Sequence, residues 1–144
     1  MKLGLIFLLV LATSIFAQKE NSKKFGTLKI IVTGFEQNTG KLSLRLDNTK
    51  KSYEENSEPE RAFYADIENG TVEINLDSLA FGEYAIKCYH DVNENRELDT
   101  NFFGIPSEDY GFSNNAPATF GPPSFEQAAF KFKSHNQIEK IELQ

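Results

Sequence analysis

Hydrophobic and polar residues alternate along much of the chain, which is the pattern of half-buried β-strands. Between two of these stretches, the Asn69–Gly70 pair favours a tight hairpin turn, because both residues tolerate positive φ. No segment shows a convincing helical period. The alternation predicts seven strands, at residues 27–33, 41–47, 62–68, 71–77, 83–90, 126–133 and 138–143.

Seven short strands separated by turns are typical of two packed antiparallel sheets. The sequence therefore predicts an all-β antiparallel sandwich of immunoglobulin-like or transthyretin-like type. A chain of 144 residues has room for one such domain, placed at residues 27–144 behind a flexible lead at 18–26. Cys88 falls on the inward face of the fifth predicted strand, so we expect a buried small hydrophobe rather than a reactive thiol.

Residues 1–17 have the composition of a secretory signal peptide. Lys2 is the only charge before a short apolar run, and a small residue, Ala17, ends the segment. The apolar run is too short to be a comfortable membrane span. We therefore expect an exported protein, periplasmic or extracellular, with no stable membrane span after cleavage.

The charge balance limits the classes of partner that the protein is expected to bind. The chain has 15 Lys and Arg residues against 21 Asp and Glu residues, a formal net charge of −6, which argues against nucleic acid as a partner. A hydrophobic share of 40% is too high for a disordered acidic chain. One Cys and two His residues give no framework for structural zinc.

The connection between the fifth and sixth predicted strands, residues 91–124, is too long for an ordinary loop. It contains four of the five prolines and many apolar rings, so we expect an ordered lid over one end of the sandwich. The rings favour packing beneath the lid over a sugar-stacking platform, partly because Trp is absent. The rings concerned are Phe102, Phe103, Phe112, Phe120 and Phe125.

The lid opens with oxygen-bearing side chains at the spacing of a calcium-binding loop, where alternate residues converge on one cation. Arg96 stands where such a turn usually has Gly, and Phe102 stands where an EF-hand has a bidentate Glu. Glu108, or else Asn101 or Asp109, could supply the missing carboxylate or amide oxygen. The pattern predicts weak calcium binding, and the alternative is an Asx-rich turn whose side chains only cap backbone amides. The predicted ligands are Asp91, Asn93, Asn95, Asp99, the carbonyl of Glu97, and Glu108.

The segments His90–Asp99, Gly104–Ala116 and Gly121–Phe125 resemble the small secreted bacterial proteins of domain of unknown function family 2141. The resemblance implies an exported single-domain β-sandwich and brings no catalytic assignment. The strand that begins at Gly82 and runs into the Asp/Asn loop is also similar, in part, to transthyretin-like and surface-protein modules with a calcium loop.

Two classes of function remain open. The preferred one is a non-enzymatic secreted module, in which calcium rigidifies the lid and an aromatic surface meets a glycan, a peptide or a cell-surface protein. The alternative is a metal-assisted hydrolase that uses His90 with Ser107 or a neighbouring carboxylate from Asp91, Asp99 or Glu108. The chain has neither a Gly-x-Ser-x-Gly nor a His-Glu-x-x-His motif, so we expect His90 to be a structural residue that bonds to the lid backbone.

Overall fold

Two β-sheets pack around a shared apolar core in the computed structural model, which describes residues 23–144. The predicted signal peptide, residues 1–17, lies outside the described residues. Two short α-helices and one 3₁₀ turn accompany the strands: α1 (Lys50–Glu55), α2 (Phe125–Ala128) and the turn Ser113–Asn115. The strands are β1 (Phe25–Thr33), β2 (Lys41–Asp47), β3 (Arg61–Asp66), β4 (Thr71–Ala80), β5 (Gly82–Asp91), β6 (Tyr110–Phe112), β7 (Phe130–Phe132) and β8 (Asn136–Glu142).

The first sheet has the strand order β4-β1-β8, and the second has the order β3-β2-β5-β6, with β7 paired to the start of β5. This mostly β architecture with two sheets agrees with the predicted all-β sandwich. The expectation that every strand pairs antiparallel is wrong, since β8 runs parallel to β1. Alternation shows which side chains are buried, but it does not encode the direction of the neighbouring strand.

The Asn69–Gly70 turn joins two sheets rather than two arms of a hairpin. Both residues have positive φ, 52° and 72°, as predicted. However, β3 pairs with β2 while β4 pairs with β1, and only Glu68 and Thr71 bridge across the turn. Alternation cannot separate the two outcomes, because strands of opposite sheets face the same core.

The core lies between the sheets and is made by inward positions of nearly every strand. A second cluster of buried hydrophobic residues lies on the outer face of the second sheet, where it packs α1 and α2 against β5 and β6. The most completely buried members of the main core are Leu28, Ile30, Val32, Leu42, Leu46 and Ile86. The second cluster contains Tyr53, Ala85, Phe112, Ala116, Phe125 and Ala128.

Secondary structure departs from the prediction in three places. Residues 23–144 contain eight strands rather than seven, because β6 forms within the predicted lid. Helix α1 begins after Thr49, whose side chain caps the Ser52 amide, and α2 begins with a capping box between Ser124 and Gln127. Both helices are too short to show a helical period. None of the helices between residues 23 and 144 is long and apolar enough to cross a membrane.

Candidate functional site

The acidic loop, residues 91–99, begins at the end of β5. Asp91 is fully buried, and its Oδ1 accepts a hydrogen bond from the Asn95 amide at 3.1 Å. Its Oδ2 accepts two more, from the Arg96 amide at 2.8 Å and from the Tyr64 hydroxyl at 2.8 Å. These bonds offset the cost of burying the carboxylate and tie the loop to β3.

The next three predicted ligands converge. The side-chain Nδ2 atoms of Asn93 and Asn95 donate to the two carboxylate oxygens of Asp99, at 2.6 and 3.0 Å. Their side-chain oxygens accept the backbone amides of Asn95 and Glu97, at 3.0 and 2.8 Å. The turn-capping bonds of the alternative interpretation are therefore present. The separate bonds to Asp99 bring the side chains of Asn93, Asn95 and Asp99 together.

Arg96 occupies the glycine position of the loop without loss of the turn. Its φ is 67°, the left-handed conformation that favours glycine, and Glu94 has a similar φ of 60°. The guanidinium carbon of Arg96 lies 4.3 Å from the ring centroid of Tyr64.

Glu108, near the middle of the lid, folds back to contact the acidic loop. It is 8% exposed, and its two carboxylate oxygens accept the amides of Val92 and Asp99 at 2.9 and 3.0 Å. The other two candidates have different contacts. The Asn101 side-chain oxygen accepts the backbone amides of Phe103 and Ile105 in its own turn, and the Asp109 carbonyl accepts the backbone amide of His90 at the end of β5. Glu108 thus holds both ends of the acidic loop.

His90 is a buried residue, 1% exposed, next to the acidic loop. The imidazole is expected to bond to the lid backbone, but its Nε2 lies 2.7 Å from the Thr39 carbonyl in the β1–β2 turn. The bond of His90 to the lid comes from its backbone amide, which donates to the Asp109 carbonyl. The β1–β2 turn needs Gly40, since a side chain there would overlap the backbone of Asp91. The ring of Phe35 packs edge-on against the imidazole.

A cavity of about 340 Å³ lies beside the acidic loop, and its lining includes His90, Asp99, Ser107 and Glu108. The residues proposed for a hydrolase, apart from Asp91, thus share one cavity. Across residues 23–144, no three His, Cys, Asp or Glu side chains lie close enough to hold a metal ion among themselves.

A larger feature is the aromatic groove, an open groove of about 1100 Å³ on the outer face of the second sheet. Two arms of the lid contribute to its walls, one between Leu98 and Pro106 and the other between Ala118 and Pro122. The floor consists of side chains from two cross-strand rows. One row is Tyr64, Ser43, Tyr89 and Tyr110, and the other is Ala62, Arg45, Lys87 and Phe112.

The charged residues that line the aromatic groove are all basic: Arg45, Lys87 and Arg96. Arg45 pairs with the buried carboxylate of Asp47. Lys87 donates to the Tyr53 carbonyl and lies 4.6 Å from the centroid of the Tyr53 ring. Burial, followed by the nearby Arg45, lowers the pKa of Lys87.

The aromatic residues of the lid divide into two groups. Phe112 and Phe125 are buried, as predicted. Phe102, Phe103 and Phe120 are 96%, 82% and 104% exposed, so the expectation that they pack beneath the lid is wrong. A tight turn, closed by hydrogen bonds among Asn101, Gly104 and Ile105, places Phe102 and Phe103 at its tip, where they are not covered by any element of residues 23–144.

Cys88 is a buried small hydrophobe, as predicted. It is 4% exposed, and its thiol contacts the Gly111 carbonyl at 3.5 Å. Burial raises the pKa of the Cys88 thiol to about 12, so the thiol stays protonated and unreactive at neutral pH.

Sequence reasoning missed the aromatic groove. Tyr64 and Tyr89 occupy the face of their strands that alternation assigns to solvent. A tyrosine on that face does not by itself indicate that the lid forms a groove over it. The available signal was the combination of tyrosines on one outer face with a long lid rich in proline.

The family resemblance is confirmed. Residues 30–140 match the family described as "Uncharacterized protein conserved in bacteria (DUF2141)", and the chain belongs to this family. Comparisons with curated proteins and with solved structures give no match.

Proposed function

We propose that this member of the DUF2141 family is an exported, non-enzymatic binding module that holds its ligand in the aromatic groove. In this proposal calcium binds the acidic loop and stabilises the lid, and the sandwich is of immunoglobulin-like or transthyretin-like type. The observation that carries the proposal is the continuity of loop and groove: Arg96 and Leu98 of the acidic loop, and Thr100 directly after it, line the groove.

The donor set suits a hard cation. The Asp99 carboxylate lies against the carboxamides of Asn93 and Asn95, and Ca²⁺ prefers oxygen ligands of this kind. The carboxylates of Asp91 and Glu108 bind backbone amides of the same loop, and we propose that they complete the ligand set when calcium binds. The convergence of Asn93 and Asn95 on Asp99 supports a common centre. The two carboxamides need only rotate to present oxygen in place of nitrogen, at the cost of their present caps.

Calcium binding of this kind should be weak. Few carboxylates face the centre, and two amide caps must be exchanged for metal ligands, so we place the Kd at about 10⁻⁴ to 10⁻³ M, the range of extracellular modules. An exported protein meets calcium at such concentrations. The export itself rests on residues 1–17 and their signal-peptide composition.

The groove supports a binding role because it combines half-buried tyrosines, basic groups and open access. Tyrosine offers a large amphipathic surface with little conformational freedom to lose, and it is enriched at binding sites. A glycan, a peptide or a surface protein could use this surface.

The hydrolase alternative has weaker support. His90 shares a cavity with Ser107 and Glu108, but it is almost fully buried and its Nε2 is within hydrogen-bond distance of a backbone carbonyl. A general base must reach the proton it removes. If His90 is structural, His90→Gln should preserve activity in any assay whenever the fold survives; a loss of about 10²-fold or more with unchanged melting would favour the hydrolase.

Thermal melting combined with calorimetry tests the calcium part of the proposal. At about 100 times its Kd, calcium should stabilise the fold by about 2.7 kcal/mol, and magnesium should do less because it requires compact octahedral geometry. Asp99→Asn should abolish the effect, whereas Asp77→Asn, on β4 of the other sheet, should preserve it. An unchanged midpoint with no binding heat would leave the loop as a capped turn.

A further inference from the structure

We infer that the ligand of the aromatic groove is an acidic oligosaccharide, a chain of sugar rings that carry carboxylates. The inference rests on the proposed binding function and names its ligand class. It depends on the charge of the groove, the residues of its floor, and the face of the sheet on which it lies.

The charge of the groove is opposite to that of the protein. The chain has 21 acidic residues and a net charge of −6, yet no acidic residue between positions 23 and 144 lines the groove, whereas three basic residues do. The Arg45 guanidinium already pairs with Asp47, but Lys87 and Arg96 form no ion pair with any carboxylate in residues 23–144. Lys87 donates instead to two uncharged oxygens, the Tyr53 carbonyl and the Asn56 side chain, so neither positive charge is balanced by a carboxylate in direct contact. Two such cations in an acidic protein favour an anionic ligand.

The two cations lie beside the tyrosine row. Arg96 is stacked over Tyr64, and Lys87 is the neighbour of Tyr89 on β5 two positions away on the same face. Tyr110 pairs with Tyr89 across β6, and all three tyrosines are half-buried. A sugar ring has an apolar face of C–H groups that packs on such rings, while its edge carries hydroxyls and, in a uronic acid, a carboxylate within reach of the cations.

The location argues against an extended acidic peptide. The floor of the groove is the face of a sheet, so it offers side chains rather than free backbone N–H and C=O groups. A peptide could not add a strand there, so its backbone would gain none of the main-chain hydrogen bonds by which extended peptides usually bind to sheets. Sugar hydroxyls can instead point outward to water. The groove, at about 1100 Å³, is also larger than a single small ligand needs.

The test compares matched ligands by titration calorimetry with calcium at about 1 mM. Tetramers of galacturonate, of mannuronate and guluronate, and of a glucuronate-containing chain are each measured beside their fully methyl-esterified forms, which keep the rings and lose the charge. A short oligoglutamate serves as the acidic peptide. We expect at least one uronate tetramer to bind, and its methyl ester to bind about tenfold or more weakly.

Two variants locate the binding in the groove. Arg96→Gln, which changes an exposed side chain, should weaken the uronate affinity about tenfold, and Lys87→Gln should do the same if its melting is unchanged. Lys140→Gln, an equal loss of charge on the exposed face of β8, should have no effect.

The possible results distinguish a failure of the inferred ligand class from a failure of the proposed binding function. Equal binding of the methyl ester, tighter binding of oligoglutamate, or full affinity in both groove variants would overturn the inference and preserve a binding module. Binding by none of the probes, with calcium stabilisation intact, would overturn the inference as well. If calcium stabilisation were also absent, the proposed function would fail with it.

Discussion

The hydroxyl of Tyr64 donates a hydrogen bond to the carboxylate of Asp91 at 2.8 Å, so one residue links the floor of the aromatic groove to the first residue of the acidic loop. Burial raises the pKa of Tyr64 to about 12, and the bond to Asp91 acts in the same direction. The hydroxyl therefore remains a donor at every physiological pH. This contact joins the groove floor directly to the acidic loop.

Tyr64→Phe should lower the stability of the protein. The substitution keeps the ring beneath Arg96 but removes one of the three donors to a fully buried carboxylate. A buried charge that loses a donor is destabilised. Urea unfolding should show a lower midpoint for Tyr64→Phe than for Tyr110→Phe, which removes a hydroxyl from the same floor row. Equal midpoints would mean that the link to Asp91 contributes nothing.

Glu108→Gln should loosen the lid. The carboxylate accepts two backbone amides, whereas a carboxamide of the same shape has one oxygen and would place its NH₂ group against the second amide. We expect a loss of about 1–3 kcal/mol in the free energy of unfolding, since Glu108 is nearly buried. Glu83→Gln, an exposed change at the other end of β5, is the control, and an equal effect of the two changes would contradict the assigned role.

Much of the fold follows from local pattern. The bounds of β2 match the prediction, and five other strands lie within a few residues of their predicted positions, because alternation with one buried face is a strong signal. The failures have a common cause. The parallel pairing of β8, the sheet change at Asn69–Gly70 and the inclusion of β6 in the second sheet all concern which strand lies next to which, and periodicity does not record this.

The same distinction between local pattern and long-range contacts applies to the candidate site. Of the predicted ligands, Asn93, Asn95 and Asp99 have side chains that contact one another, whereas Asp91 and Glu108 bind backbone amides of the same loop. Calcium binding by these residues stays a prediction. The aromatic groove could not be predicted, because its floor comes from four strands and its walls from two distant arms of the lid. Only tertiary structure brings Tyr64 beside Arg96.

Cys88 should resist thiol reagents in the folded protein. The thiolate is the reactive form, and burial raises its pKa to about 12. A colorimetric disulfide reagent at pH 8 should therefore react only at the rate of unfolding, and completely in urea. Immediate reaction of the native protein would show that Cys88 is accessible.

Glu139 should make the folded state less favourable as pH rises. Burial raises the pKa of Glu139, opposed by the hydrogen bond that it accepts from the Asn114 amide. The folded chain therefore keeps this proton to higher pH than the unfolded chain, and the contribution of Glu139 to stability falls as pH rises from the unfolded value through the folded one.

The variant Glu139→Gln cannot ionise, so its stability relative to wild type should increase from about pH 4 upward. Urea unfolding across a pH series measures this difference. A difference that is constant with pH would contradict the expected ionisation behaviour.

Hydrogen–deuterium exchange with and without calcium tests most directly the claim that calcium holds the lid over the groove. At about 100 times its Kd, calcium should slow exchange up to about 100-fold at the amides of Val92 and Asp99, which bond to Glu108, and at the Asn101 amide in the groove wall. Asp99→Asn should show no such slowing. Exchange at these three amides that is the same in calcium and in chelator would contradict the account.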